Sequence, residues 1–193
     1  MTRSVVAYLL TSVDGAVDDP RRYFPASDAD RPGPPVFDAE SEAVEAGVIG
    51  RQDAVLLGRR MYDEWSRYWP TSQGEPIAGF INGVRKYVVT STPLGTDWAN
   101  ATAVDEPVAD LVARLKAERG GDIGVHGSLT LVRSMLRAGL VDEVVLGMGP
   151  VLDPEGRRAF ADVPGWTRLR LLDATPTASG IVWLRYAVGP VAS

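Results

Sequence analysis

Small and hydroxyl-bearing residues follow three apolar segments of this chain, at the points where each segment ends. These are Gly58-Arg59-Arg60, Thr90-Ser91-Thr92 and His126-Gly127-Ser128. The carboxyl ends of parallel strands meet at one edge of a sheet, and helices that begin there present unpaired N–H groups to anions. We therefore expect these segments to bind the phosphates of a dinucleotide.

Two adjacent arginines, Arg59 and Arg60, lie at the start of a predicted helix. Arg binds phosphate in a bidentate manner, so the pair favours NADPH, which has an additional 2′-phosphate, over NADH. The alternative is a solvated pair without a ligand, although cations at a helix start oppose the helix dipole. Three spaced glycines do not follow the first strand, so this is not the standard Rossmann site.

The order of the predicted elements indicates an α/β fold. Strands and helices alternate in the first part of the chain, which predicts a largely parallel sheet. The strands are at 4–10, 53–58, 86–90, 101–104 and 122–126, and the helices at 37–49, 59–67, 107–119 and 128–137. Later strands at 141–148, 168–173 and 181–188 predict an antiparallel edge, with a hairpin around 177–180.

Two details of this pattern concern candidate site residues. Five prolines between Asp18 and Pro35 predict a long irregular loop, which is either functional or mobile.

The helix at 37–49 is amphipathic. One side has the residues Phe37, Ser41, Val44 and Val48, and the other sides have Glu40, Glu42 and Glu45.

Composition and charge exclude several classes of function. The 193 residues, 45% of them hydrophobic, predict one domain. The chain has no cysteine and one histidine, which argues against disulfides, Cys nucleophiles and zinc sites. A net charge of −5 argues against nucleic-acid partners. Without a signal-peptide pattern after Met1 or a membrane-spanning apolar run, we expect a cytoplasmic protein that does not bind membranes.

Short segments follow one another in a fixed order along nearly the whole chain: 11–15 (TSVDG), 57–65 (LGRRMYDEW), 68–70 (YWP), 86–92 (KYVVTST), 120–123 (GGDI), 127–129 (GSL), 139–143 (GLVDE) and 180–186 (GIVWLRY). In these segments the chain resembles bacterial proteins of the riboflavin-biosynthesis reductase type (RibD C-terminal domain), which share the dihydrofolate reductase fold. The resemblance implies a three-layer α/β fold, with helices on both faces of a mostly parallel sheet and an antiparallel C-terminal hairpin. It also implies a homodimer.

The same resemblance assigns roles to the cofactor segments. The residues Gly58, Arg59, Arg60 and Met61 are similar to the segment that holds the adenosine phosphates, with Arg59 at the 2′-phosphate. Thr90, Ser91 and Thr92 are similar to the loop beside the adenosine ribose. The turn that binds the pyrophosphate is matched by His126, Gly127, Ser128 and Leu129. His126 departs from the glycine usual in relatives, and would crowd the cofactor, contact a phosphate, or serve as a structural hydrogen-bonding group.

On the substrate side, Asp14 resembles the aspartate of the family's motif and is a candidate for catalysis and substrate binding, although an Asp-Gly turn explains it equally well. Dihydrofolate reductases use a carboxylate from the first helix to bind the pteridine ring. The acids within reach of that role are Asp38, Glu40 and Glu42, of which Glu42 is our catalytic candidate. They would otherwise form the solvated face of the helix. Trp65 and Trp69 would stack on a flat substrate, or simply pack with Tyr68.

Together these features predict an NADPH-dependent oxidoreductase that transfers hydride to a small heteroaromatic substrate, of the 5-amino-6-(5-phosphoribosylamino)uracil reductase or dihydrofolate reductase type. The alternative is a catalytically silent nucleotide- or small-molecule-binding protein on the same scaffold. Zinc deaminase activity is excluded, because its Pro-Cys-x-x-Cys element needs cysteine. Asp153-Pro154-Glu155-Gly156 replaces an expected glycine-rich stretch, so the substrate pocket is expected to differ from that of relatives.

Overall fold

We describe the fold from a computed structural model of the chain, for residues 3–18, 20–24, 37–72, 76–163 and 165–191. Residues 25–35 of the predicted loop lie outside these ranges. The described ranges contain the helices α1 (Pro20–Tyr23), α2 (Ala39–Ile49), α3 (Arg59–Tyr68), α4 (Pro76–Gly83), α5 (Val108–Ala117) and α6 (Leu129–Arg137), with a 3₁₀ turn at Trp69–Thr71. The strands are β1 (Val5–Ser12), β2 (Gln52–Gly58), β3 (Arg85–Val89), β4 (Ala101–Val104), β5 (Asp122–His126), β6 (Glu143–Gly149), β7 (Thr167–Pro176) and β8 (Val182–Val191).

The eight strands form one sheet in the order β4-β3-β2-β5-β1-β6-β8-β7. β2 pairs in parallel with β3 and β5, and β3 pairs in parallel with β4. β8 is antiparallel to both β6 and β7. The predicted α/β fold, with a mostly parallel sheet and an antiparallel C-terminal edge, is therefore confirmed. The β7–β8 hairpin turns where the sequence predicted it, with the N–H of Thr177 donating to the carbonyl of Ile181 at 2.9 Å.

The described residues group into two compact units, each built from two stretches of chain. Unit 1 comprises Met1–Ala7 and Ala46–Asp142, and unit 2 comprises Tyr8–Glu45 and Glu143–Ser193. The expectation of a single domain stays a prediction. Among the described helices, none combines the length and the apolar character that a membrane crossing requires.

Unit 1 contains α4, a helix that the sequence did not predict. Its glycines, Gly79 and Gly83, lower helix propensity, so tertiary packing must stabilise it. Asn82 in its last turn donates to the carbonyl of Trp69 at 2.9 Å and accepts the indole N–H of Trp98 at 2.8 Å. The helix joins a core formed by Val55, Leu57, Tyr62, Trp69, Ala78, Ile81, Val84, Val88 and Trp98.

Lys86 is buried beside the end of α4. Its Nζ donates to the carbonyls of Ile81 and Val84, both at 2.8 Å, and lies 4.5 Å from the ring centroid of Trp98. A cation is favourable at the carbonyl end of a helix. Burial lowers the pKa of Lys86 to about 8, which leaves the amine mostly charged at neutral pH. Lys86 therefore stabilises the end of α4, a helix whose own residues have low helix propensity.

The structure corrects the predicted end of α5. We expected the helix to run to Arg119 and to stop at Gly120-Gly121, but it ends at Ala117. Gly121 instead allows its backbone to lie close to the backbone of Arg51, just before β2. A Cβ at this position would lie 2.3 Å from the carbonyl oxygen of Arg51, so only glycine fits there.

Aromatic side chains form the centre of unit 2. Trp183 on β8 is fully buried, and its ring centroid lies 6.0 Å from those of Tyr8 and Phe37. Gly147 on the neighbouring strand β6 provides the space for this indole, because a Cβ there would lie 2.9 Å from the Trp183 ring. β1 and β8 are thus joined by ring packing as well as through the sheet.

β7 lies at the edge of the sheet, and its side chains are exposed. Leu169, Leu171 and Leu172 are 40%, 52% and 40% exposed. Exposed apolar edge strands commonly mark surfaces of association. The homodimer that the family resemblance implies stays a prediction.

A buried arginine ties several segments of unit 1 together. The side chain of Arg3 is fully buried, and its guanidinium bonds the carboxylate of Asp53 on β2. It also donates to the carbonyls of Gly121 at 2.8 Å and Leu115 at 3.1 Å. Arg85 reaches the same carboxylate of Asp53 at 3.4 Å, but its side chain is half exposed. The two arginines share the partners Asp53 and Glu118, but only Arg3 is buried and donates to the carbonyls of Gly121 and Leu115.

We expect Arg3→Met to lower the free energy of unfolding by about 2–4 kcal/mol, because the carbonyls of Leu115 and Gly121 lose their donor and Asp53 loses the buried one of its two arginines. Arg85→Met should cost less than about 1 kcal/mol, since exposed ion pairs contribute little. Urea unfolding followed by circular dichroism measures both. Equal losses would contradict the role assigned to Arg3.

Candidate functional site

The carboxyl ends of β3, β2 and β5 lie side by side in unit 1. The parallel register pairs Gly58 with Val89, and Leu56 with Val125, so the segments that follow these strands emerge at one edge. The N–H of Gly58 donates to Oγ of Ser128 at 2.8 Å, which joins the end of β2 to the turn after β5. The predicted phosphate-binding segments are therefore neighbours in space.

The turn after β5 is tight and requires glycine. Gly127 has a φ of +63°, and the N–H of Ser128 donates to the carbonyl of His126 at 2.7 Å. A Cβ at Gly127 would lie 2.7 Å from Cε of Met61 and 3.3 Å from Cζ2 of Trp65. Met61 and Trp65, one helical turn apart on α3, therefore pack directly on the backbone of this turn.

α3 and α6 both begin at this edge without a side-chain cap. Gly58 precedes α3 and Ser128 precedes α6, and neither residue caps its helix through a side-chain hydrogen bond. The N–H of Leu129, the first residue of α6, makes a 3.2 Å bond to the carbonyl of Gly127. Helix starts combine free N–H groups with a partial positive charge. The arrangement can hold phosphates or other anions.

Arg59 connects α3 to the loop after β3. Its Nε donates to both carboxylate oxygens of Asp63, each at 2.9 Å. Its Nη1 donates to the hydroxyl and the carbonyl of Thr92 and, at 2.9 Å, to the carbonyl of Pro93. The side chain is 32% exposed. Arg59 is therefore held at the edge while part of its guanidinium faces solvent.

The other predicted adenosine contacts lie in more exposed positions. The N–H of Thr92 donates to Oγ1 of Thr90 at 3.2 Å, which shapes the loop around the exposed Ser91. Arg60 is 79% exposed and pairs with Glu64 at 3.1 Å. Of the two adjacent arginines, Arg59 is the one that the loop after β3 holds. The binding roles of all these residues stay predictions.

His126 is fully buried and faces away from the edge. Its Nε2 lies 2.7 Å from Oε1 of Gln52, the first residue of β2. Gly124 leaves the space between them, because a Cβ there would lie 2.6 Å from the same nitrogen. Burial lowers the pKa of His126 to about 4, so the imidazole is neutral at pH 7. This geometry favours the structural role, and cofactor binding through the backbone of His126 stays a prediction.

The aromatic residues predicted to contact substrate pack on one another. The ring centroid of Trp69 lies 5.7 Å from that of Trp65 and 4.9 Å from that of Tyr68, both edge-on. Trp69 is 8% exposed and belongs to the core of unit 1, which leaves little of its ring for a ligand. Trp65 is half-buried over the turn at Gly127. Substrate contact by Trp65 and Trp69 stays a prediction.

Asp14 organises the loop after β1 in unit 2. Its Oδ1 accepts the hydroxyl of Ser12 at 2.6 Å and the N–H of Asp153 at 3.0 Å, and its Oδ2 accepts Nη1 of Arg158 at 2.8 Å. These bonds, that from Asp153 foremost, lower the pKa of Asp14 to about 2. The group is therefore ionised at neutral pH and cannot donate a proton there. A binding or electrostatic role for Asp14 stays a prediction.

Asp153 gives a structural reason for the departure from the family's glycine-rich stretch. The residue is buried, and its Oδ2 accepts the hydroxyl of Tyr23 at 2.8 Å. A Cβ at Gly156 would lie 2.6 Å from that of Ala16, so the segment runs close against the loop after β1. Residues 153–156 thus connect that loop with α1.

Two of the acids at the start of α2 bond backbone N–H groups. Asp38 caps the helix by accepting the N–H of Ser41 at 2.8 Å. Glu40 accepts the N–H of Ala178 at 2.8 Å, in the β7–β8 hairpin. Glu42 is exposed in the first helical turn, where its charge complements the helix dipole. Its catalytic role stays a prediction.

The structure corrects the expected position of Glu45, which we assigned to a solvent-facing side of α2. It is 5% exposed, because it lies one turn from the buried Ser41 and Val48 and shares their face. Its Oε1 accepts the hydroxyl of Tyr8 at 2.6 Å. Burial foremost, with the Glu45 carboxylate second, raises the pKa of Tyr8 well above its usual value. The i, i+4 spacing from Ser41 is the one sequence feature that indicates this burial.

A family model described as the RibD C-terminal domain matches residues 3–183. The chain belongs to the RibD C-terminal domain family. YyaP of Bacillus subtilis, a protein described as uncharacterized, is 29% identical over 142 residues, which cover 72% of this chain and 75% of YyaP.

Solved structures of RibD-like and other reductase proteins share the fold. A Shewanella sp. PV-4 protein named for riboflavin biosynthesis has a TM-score of 0.71 and 17% identity, over 97% of this chain and 99% of its own. Enterococcus faecalis dihydrofolate reductase, solved with NADP(H), has a TM-score of 0.61 and 11% identity, over 98% of this chain and 100% of its own. Thermotoga maritima diaminohydroxyphosphoribosylaminopyrimidine deaminase/5-amino-6-(5-phosphoribosylamino)uracil reductase has a TM-score of 0.64 and 12% identity, over 97% of this chain and 57% of its own. The dihydrofolate reductase-like fold is therefore confirmed.

His126 is the one histidine of the chain, so its titration in tag-free protein needs no assignment. We expect its imidazole C–H NMR signals to shift only near pH 4, because burial disfavours the imidazolium. The unfolded chain takes up this proton near pH 6.5, so stability should fall as the pH drops from about 6.5, by roughly 3 kcal/mol at pH 4. His126→Phe should remove that part of the pH dependence. A midpoint near 6.5 would contradict the buried neutral imidazole.

Proposed function

We propose that this protein is an NADPH-dependent reductase that transfers hydride to a small heteroaromatic substrate, of the 5-amino-6-(5-phosphoribosylamino)uracil reductase or dihydrofolate reductase type. One observation carries the proposal: two uncapped helix starts, the Gly127 turn and Arg59 meet at one edge of unit 1. Membership in the RibD C-terminal domain family supports a reductase.

The residues at this edge fit a dinucleotide with a 2′-phosphate. The N–H groups at the starts of α3 and α6 would bind the pyrophosphate, and Gly127, with its φ of +63°, allows the tight turn that leads into α6. Arg59, beside the hydroxyl of Thr92, would bind the 2′-phosphate. Within the described ranges, Nη2 of Arg59 donates to no protein atom, which leaves it available to an anion.

The bound nicotinamide would supply the hydride, so the chain's own task is to bind, orient and exclude water. Arg59 and the two helix starts would fix the adenosine end of the cofactor. Met61 and Trp65 cover the backbone of the Gly127 turn on the α3 side and exclude water there. Asp14, ionised at neutral pH, would contribute through charge or hydrogen-bond acceptance and not by giving up a proton.

The second candidate is a catalytically silent nucleotide-binding protein on the same scaffold. The state of the predicted acids favours it. Asp14 is bonded to the loop around it, Asp38 and Glu40 are bonded to backbone N–H groups, and Glu42 is exposed. Such a protein would bind NADPH and reduce neither a pyrimidine nor a pterin.

Titration with NADPH and with NADH, followed by nicotinamide fluorescence, tests the proposal. We expect saturable binding of NADPH, about tenfold or more tighter than that of NADH, because hydrogen bonds to the 2′-phosphate are charge-assisted. If neither nucleotide binds below about millimolar concentration, the reductase proposal is wrong. Binding without turnover of any pyrimidine or pterin would instead favour the silent protein.

Arg59→Ala should weaken NADPH binding about tenfold or more and leave NADH binding nearly unchanged, because only NADPH has a 2′-phosphate. Arg67→Ala is the matched control, since it removes the same charge from the last turn of α3, about 12 Å along the helix. Fluorescence titration of both variants measures the change. An equal loss of affinity for NADPH and NADH would show that Arg59 does not bind the 2′-phosphate.

A further inference from the structure

Asp63 places a negative charge inside the predicted 2′-phosphate site. It lies one turn after Arg59 on α3, and both its carboxylate oxygens are 2.9 Å from Nε of Arg59. The Asp63 side chain is 38% exposed, so solvent screens the pair only in part. A carboxylate this close offsets part of the positive charge that a phosphate would meet.

The position of Arg59 does not depend on this carboxylate alone. Its Nη1 donates to the carbonyls of Pro93 at 2.9 Å and Thr92 at 3.3 Å, as well as to the Thr92 hydroxyl. These bonds hold the guanidinium against the loop after β3. An asparagine at position 63 would still offer an oxygen to Nε, but without the charge. The electrostatic effect of Asp63 can therefore be separated from its effect on geometry.

We propose that Asp63 is a specificity-determining residue that lowers the affinity of Arg59 for the 2′-phosphate and so moderates the preference for NADPH over NADH. The inference rests on the proposed function, in which Arg59 binds that phosphate. Asp63 acts through Arg59 and has no part in the hydride transfer. By weakening phosphate binding, Asp63 would keep the cofactor exchangeable, because tight binding of the 2′-phosphate would slow release of the cofactor.

The neighbouring ion pair supplies a matched control. Arg60 and Glu64 repeat the i, i+4 spacing one residue further along α3, at 3.1 Å, but their side chains are 79% and 55% exposed. In the described part of the chain, Arg60 makes no hydrogen bond to the loop after β3. Glu64→Gln therefore removes the same charge as Asp63→Asn, one residue away, without affecting Arg59.

The experiment compares the dissociation constants of NADPH and NADH for the unmodified protein, Asp63→Asn and Glu64→Gln. We expect Asp63→Asn to bind NADPH roughly three- to fivefold tighter, the size of a partly exposed charge interaction, with NADH unchanged. The difference should vanish at about 1 M salt, where the screening length is near 3 Å. Glu64→Gln should change neither constant, and Asp63→Glu should restore the original ratio.

Four results would overturn the inference. Weaker NADPH binding by Asp63→Asn would mean that the carboxylate positions Arg59. Equal tightening in Asp63→Asn and Glu64→Gln would reflect net charge alone. If Asp63→Asn leaves the preference for NADPH unaltered, the inference is wrong but the proposed function stands. If the unmodified protein binds neither nucleotide, the inference and the proposed function are both wrong. Thermal unfolding of each variant verifies that it is folded.

Discussion

The parallel pairing of β2 with β3 and β5 is the constraint on which the candidate cofactor site depends. It brings together segments that are far apart in sequence, so that Gly58 and Ser128, 70 residues apart, share a 2.8 Å hydrogen bond. It also sets the starts of α3 and α6 at one edge. A shift of one residue in either pairing would turn each side chain of β2 to the other face of the sheet. The segments that follow the strands would then no longer meet, and the site would not form.

Most of the buried or half-buried charges discussed above bond the backbone. Arg3 and Lys86 donate to carbonyls, and Asp14 accepts a backbone N–H. Such groups fix loops and helix ends. Burial lowers the pKa of Lys86, and the hydrogen bonds that Asp14 accepts lower its pKa. Arg59 differs because one of its nitrogens, Nη2, donates to no protein atom within the described ranges. A ligand could therefore bond Nη2 without displacing a protein partner of Arg59.

Local patterns predicted the fold well where the relevant physics is local. Apolar runs located the strands, and small residues at their ends located the edge where the phosphate-binding segments meet. α4 was missed because Gly79 and Gly83 lower its helix propensity, whereas Asn82 stabilises it through Trp69 and Trp98, 13 and 16 residues away. The burial of Glu45 on the face of Ser41 was missed because the partner of its carboxylate, the Tyr8 hydroxyl, is 37 residues away. The contacts of Arg59 with Thr92 and Pro93 likewise cannot be predicted from local sequence, because they form only when β2 and β3 pair.

Two groups in unit 2 bear on the source of the proton for the proposed reduction. Asp14, with a pKa of about 2, has no proton to give at neutral pH. Tyr8 keeps its proton, because burial and the Glu45 carboxylate raise its pKa, and it directs that proton at Glu45. Neither group would therefore supply the proton that accompanies hydride transfer, which leaves water, or Glu42 if its predicted catalytic role holds, as the source. A protein that orients its cofactor well can work in this way, because alignment of the reacting carbons supplies a large part of the rate enhancement.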